Sequence, residues 1–140
     1  MENSSGNSEI IRIKIPSHPK YISRLRNIVG EVCEKMNFHY QQSMDLKLAV
    51  NEATANIIKH AYEGQTNKAI FIYFYIFPDR LEVAIRDYGK KVSPEQIKSR
   101  DLDDVKDHGL GVFLMENLVD EVAYDFSPSV GTELKFIKYK

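Results

Sequence analysis

The sequence predicts an α+β domain in which helices cover one face of a mostly antiparallel mixed sheet. Apolar residues alternate at period two near the N-terminus, in two runs between residues 69 and 87, and in the last twenty residues. Between these runs they recur at three- and four-residue steps, the mark of one-sided helices. The later strands come in pairs adjacent in sequence, which favours antiparallel neighbours and disfavours a doubly wound parallel sheet.

The elements follow in order. Ile11, Ile13 and Ile15 alternate with Arg12 and Lys14 as in a half-buried strand. From Tyr21, the positions Ile22, Leu25, Val29, Val32, Cys33 and Met36 form the apolar stripe of a first helix, with Arg24, Arg26 and Lys35 opposite. A second helix is predicted from about Gln41 to Ala61, burying Leu46, Ala49, Val50, Ala53 and Ile57. AIFIYFYIF and LEVAIRD surround Pro78-Asp79-Arg80 and read as a hairpin. Ser93-Pro94-Glu95-Gln96 has the capping hydroxyl and first-turn proline of a short helix. His108-Gly109-Leu110-Gly111 opens another helix carried by Val112, Met115, Leu118 and Val119. EVAYDF and GTELKFIKY close the chain as strands around Ser127-Pro128-Ser129.

Composition narrows the function. The chain has 140 residues and balances 19 basic against 20 acidic side chains, so it carries no electrostatic footprint for nucleic acid. Cys33 is the single cysteine, which leaves neither a disulfide framework nor a cysteine metal cluster and suits a reducing, cytoplasmic setting. The longest apolar stretch, Ala69 to Phe77, is far shorter than the roughly 18 residues of a membrane span. Residues 1–9 are polar and read as a flexible tail, and 10–140 as one domain.

The candidate chemistry starts on the polar face of the second helix. Glu52 and Asn56 are four residues apart and so are neighbours on one face. A carboxamide oxygen suits Mg²⁺, and an adjacent carboxylate can take a proton from a nucleophile. Taken alone, the pair reads as a solvated helix face. Gly109 and Gly111 precede a helix whose N–H groups suit a phosphate, although such loops also serve as plain helix entries. Asp87-Tyr88-Gly89 follows a strand, where the Asp can be a turn former or can accept a hydrogen bond from an exocyclic amine.

The order of these pieces is more specific than any one of them. EATANIIKHAYEG, RDYG, HGLGVFLMENLVDEV and GTELKF together resemble the N, G1, G2 and GT motifs of the GHKL nucleotide-binding superfamily. More narrowly, the chain resembles the anti-sigma-factor serine/threonine kinases of bacterial partner-switching pathways, from Ile11 through Lys140. That resemblance implies a two-layer sandwich of the GHKL (Bergerat) type and an ATP- and Mg²⁺-dependent phosphotransferase. It implies Glu52 as catalytic base, Asn56 as the Mg²⁺ ligand and Asp87 as the reader of the adenine amine. Gly89, Gly109, Leu110 and Gly111 would be nucleotide-loop residues, and Thr132 would lie near the adenine pocket. The implied partners are a sigma factor, a STAS-domain anti-anti-sigma protein bearing the acceptor hydroxyl, and a second copy of the chain in a homodimer.

Two departures from the pattern stand out. Lys91 replaces the second glycine of the usual Asp-x-Gly-x-Gly, and Lys106, Asp107 and His108 approach the phosphate-loop glycines where some members carry a basic residue. They keep open a second reading, a GHKL-fold interaction module that holds a partner without phosphotransfer. A histidine kinase is disfavoured, because the nucleotide core leaves no room for a phospho-acceptor helical hairpin. His60, four residues beyond Asn56, reads as a packing residue.

Overall fold

The computed structural model describes residues 8–91 and 115–140. Five strands, β1 (Glu9–Pro16), β2 (Ala69–Ile76), β3 (Arg80–Asp87), β4 (Glu121–Asp125) and β5 (Thr132–Tyr139), form one sheet in the order β1-β2-β3-β5-β4. All four pairings among the described residues are antiparallel, so the sheet is not mixed there; β2–β3 and β4–β5 are the predicted adjacent pairs. Two long helices, α1 (Ile22–Lys35) and α2 (Tyr40–Asn56), separate β1 from β2. The predicted short helix at Ser93 and the start of the helix near Gly109 lie outside the described residues. Residues 115–118 are helical and bring Met115 into the core.

Burial follows the predicted periodicities. Leu46, Ala49, Val50 and Ala53 on α2 and Ile57 just after it are buried, as are Leu25, Val29, Val32, Cys33 and Met36 from the α1 region. They meet the alternate residues Ile70, Ile72 and Phe74 of β2, Leu81, Val83 and Ile85 of β3, and Phe136 of β5. Burial pushes the Cys33 thiol up to about 11, so it stays a neutral packing group near neutral pH. On β1, an edge strand, Ile15 is buried, Ile13 partly so and Ile11 exposed.

Local signals set the joints. Asn37 takes a left-handed φ of 62° just past α1, and the Phe38 N–H donates to the Cys33 carbonyl at 3.0 Å, which closes the helix end. The Gln42 side chain accepts from the His39 N–H at 3.0 Å and starts α2. Between β2 and β3 the Phe77 N–H reaches the Arg80 carbonyl at 3.0 Å, so Pro78 and Asp79 occupy the turn as read from the sequence. No helix among the described residues is long and apolar enough to cross a membrane.

Candidate functional site

The site is assembled where α2 ends against the end of β3. Glu52 and Asn56 lie on successive turns of α2, both half-buried. Beside them the buried Thr54 hydroxyl donates back to the Val50 carbonyl at 2.9 Å, which leaves it satisfied within its own helix. Directly after Asn56 the helix widens into a π-turn, Ile57–Ala61, whose Tyr62 N–H bonds the Ile57 carbonyl at 2.9 Å. The sequence predicted a continuous α-helix through Ala61; the wider turn interrupts it. The Ala61 carbonyl, freed from an ordinary α-helical bond, accepts the Lys90 N–H at 2.8 Å.

Tyr62 makes the second tie between these segments. Its hydroxyl donates to the Ala69 carbonyl at 2.5 Å and accepts the Tyr88 N–H at 2.9 Å. The end of the π-turn, the start of β2 seven residues on and the turn after Asp87, 26 residues away, therefore share one phenol. Burial raises the Tyr62 pKa, so the hydroxyl keeps the proton it donates. Sequence reasoning missed this residue: it stands inside EATANIIKHAYEG, but no spacing rule says that its hydroxyl reaches a backbone N–H 26 residues away.

Asp87 is the last residue of β3 and is only 4% exposed. One carboxyl oxygen accepts the Gly89 N–H at 2.9 Å. Burial nevertheless raises its pKa, against the opposing pull of that bond and of Arg86. A carboxylate has further lone pairs, so a nearby amine donor would relieve the burial cost. A testable consequence concerns stability. A carboxyl with a raised folded-state pKa stabilises the fold below its unfolded value, near pH 4, and loses that contribution as pH rises through the folded value. Asp87→Asn is therefore expected to melt at least as high as the wild type at pH 7, with the difference shrinking towards pH 4. A difference in Tm that is flat over this range would show that Asp87 carries no burial cost.

Two glycines are required here by space. A Cβ on Gly89 would lie 2.4 Å from the Ala61 carbonyl oxygen. Gly131 adopts φ +75°, and a Cβ there would lie 2.0 Å from the Asp87 carbonyl oxygen. Next to it Thr132 opens β5 and pairs in register with Asp87. The Arg86 guanidinium donates to the Asp87 carbonyl and lies 4.1 Å from the centre of the Tyr88 ring. Tyr88 in turn meets Phe71 edge-on.

The structure thus brings Asp87, Gly89 and Thr132 together at one end of β3 and β5, with Ala61 and Tyr62 of the π-turn region after α2 tied to the same turn. Gly109, Leu110 and Gly111 lie outside the described residues. His60 sits in the π-turn, half-buried. Among the described residues only Asn37 and Glu63 are non-glycines at positive φ, so Lys91 occupies the place of the usual glycine without that strain. Its ammonium donates to the Phe126 carbonyl and joins this loop to the one between β4 and β5. A hollow of about 270 Å³ opens beside the turn, between Tyr62, Glu63, Lys68 and Lys90, but none of Glu52, Asn56, Asp87 or Thr132 lines it.

Residues 15–138 match the family of the histidine kinase-like ATPase domain. The chain belongs to this family. Within the histidine kinase-like ATPases it is similar to the serine-protein kinase RsbW of Bacillus subtilis strain 168, at 38% identity over 125 residues, covering 83% of this chain and 78% of that protein. The RsbW of Staphylococcus aureus is 34% identical over 140 residues, 93% of this chain and 88% of its own. Among solved structures, the histidine kinase domain of the blue-light activated histidine kinase from Erythrobacter litoralis EL346 superposes with a TM-score of 0.55 at 15% identity. That superposition covers 89% of this chain and 61% of the other, and it speaks to the fold, the α+β sandwich predicted from the sequence.

Proposed function

We propose that this protein is an ATP-dependent serine kinase that acts as an anti-sigma factor in the bacterial cytoplasm. In this reading it binds a sigma factor and phosphorylates a STAS-domain antagonist. The kinase assignment follows the RsbW relatives. The observation that supports the mechanism most is that the π-turn following α2 is tied through Ala61 and Tyr62 to the turn after Asp87, whose strand end pairs with Thr132. In this reading Glu52 serves as base and Asn56 as oxygen ligand on the helix, and Asp87 as amine acceptor on the sheet.

The chemistry follows from positioning. Asp87 accepts from the adenine amine beside Thr132, and the turn at Gly89 lets backbone and base approach closely. Gly109, Leu110 and Gly111 supply backbone donors to the phosphates. The seryl oxygen of the acceptor attacks the γ-phosphorus, the bridging P–O bond breaks, ADP leaves, and the seryl proton passes to the Glu52 carboxylate. Mg²⁺ prefers one or two protein oxygens and retains waters and phosphate oxygens, which fits a single carboxamide at Asn56. Among the described residues no group of three or more His, Cys, Asp or Glu forms an all-protein cage. When bound, the ion would neutralise phosphate charge. A homodimer through the exposed β1 edge is part of the same proposal.

Calorimetry of ATP binding with and without Mg²⁺ tests this reading. Wild type is expected to bind ATP in a Mg²⁺-dependent manner. Asn56→Ala is expected to bind at least about tenfold more weakly, with most of the Mg²⁺ dependence gone. Asp87→Asn is expected to lose roughly 10–100-fold, because an amide beside the Gly89 N–H must turn a donor towards either that N–H or the adenine amine. Partner binding without any nucleotide binding would overturn the kinase and leave a pure interaction module.

A further inference from the structure

The α2 helix carries an apolar ridge that its own fold does not use. Tyr40 is 77% exposed, Met44 40% and Leu48 44%, although each is a large side chain that folding ordinarily covers. They are four residues apart, so they stack along one line of the helix surface rather than being scattered singly. Continuing that line by the same step reaches Glu52 and then Asn56. Leu48 is one turn, about 6 Å of helix rise, from Glu52, and Tyr40 is about 18 Å from it.

The flanks of this ridge are polar. On one side the Arg26 guanidinium of α1 donates to Asn51 at 3.3 Å. On the other, Gln41 donates to Asp45 at 2.7 Å. An apolar centre with a polar, partly basic rim is the composition of a transient protein interface.

We propose that the Tyr40–Met44–Leu48 ridge docks the folded protein whose serine is phosphorylated, through an apolar patch with an acidic border facing Arg26. This rests on the kinase reading above and names where its protein substrate sits. The reason for this occupant is continuity: a seryl side chain is short, so the protein bearing it must lie against the surface that adjoins Glu52. A standard interface covers about 800 Å² on each partner, a patch wide enough to reach from Glu52 to Tyr40. The ridge supplies affinity and orientation, and Glu52 does the chemistry.

The test uses the full-length chain, Mg·ATP and the STAS-domain protein that wild type phosphorylates or, failing phosphorylation, binds in the presence of Mg·ADP. The double variant Met44→Glu, Leu48→Glu changes two exposed positions to a good helix former, so the fold is preserved. For the folded acceptor its KM is expected to rise at least about tenfold, with kcat within about threefold and the ATP dissociation constant unchanged. Arg26→Glu is expected to raise KM less, in a salt-dependent way. An unchanged KM overturns the proposal. So does loss of sigma-factor binding alone, or conversion of a dimer to a monomer by the double variant in light scattering, since either gives the ridge another occupant. If wild type binds the acceptor without phosphorylating it and the double variant abolishes that binding, the docking surface stands and the kinase reading falls. Absence of both transfer and binding in wild type overturns both.

Discussion

Glu52→Gln is expected to lower phosphotransfer to the acceptor protein by about 10²–10⁴-fold while leaving ATP affinity within about threefold. Glutamine keeps the size and helix propensity of glutamate but cannot take the seryl proton. The α2 turn should be undisturbed, because Glu52 is half-buried on its polar face and the core stripe lies on the opposite side. The measurement pairs a single-turnover transfer assay with ATP calorimetry. Normal transfer in the variant would remove Glu52 from the chemistry. A parallel loss of ATP binding would move its role from proton transfer to nucleotide binding.

Gly131→Ala is the structural counterpart, expected to cost about 2–4 kcal/mol and to lower Tm by roughly 5–15 °C. Two penalties coincide at this position. The backbone is left-handed at φ +75°, and the added methyl would overlap the Asp87 carbonyl oxygen. Relief requires β5 to move away from β3 at the Asp87–Thr132 pair, so ATP affinity should fall further than stability alone explains. Gly64→Ala is the control. Gly64 also has a left-handed φ, +82°, but a Cβ there meets nothing within 4 Å, so only the conformational penalty, about 1–2 kcal/mol, applies. Equal effects of the two substitutions in a thermal melt would show that the approach of Gly131 to Asp87 does not constrain the site.

Much of this fold was legible because burial imprints a period on sequence. The α2 stripe from Leu46 to Ile57 and the alternation in β2 and β3 follow from which faces meet. The hairpin turn at Pro78-Asp79 was equally plain, since proline and aspartate have local reasons to be there. The candidate site was legible as separate motifs, Glu52 with Asn56 by helical spacing and Asp87 by its place at a strand end. Their joining was not. The π-turn has no composition of its own, the Tyr62 hydroxyl acts across the fold, and the register of Asp87 with Thr132 depends on β5 entering between β3 and β4.

That insertion bears on how the protein comes into being. Strand β5 follows β4 along the chain yet is interior to the sheet, holding β3 on one side and β4 on the other. A chain emerging N-terminus first can close the β1-β2-β3 meander with α1 and α2 against it, but β3 then presents a bare edge and β4 has no partner at all. Thr132 cannot meet Asp87 until this final strand is laid in. The proposed nucleotide site is thus among the last parts of the domain to be completed, and a polypeptide halted at residue 131 would retain much of its hydrophobic core while lacking the Asp87–Thr132 pair.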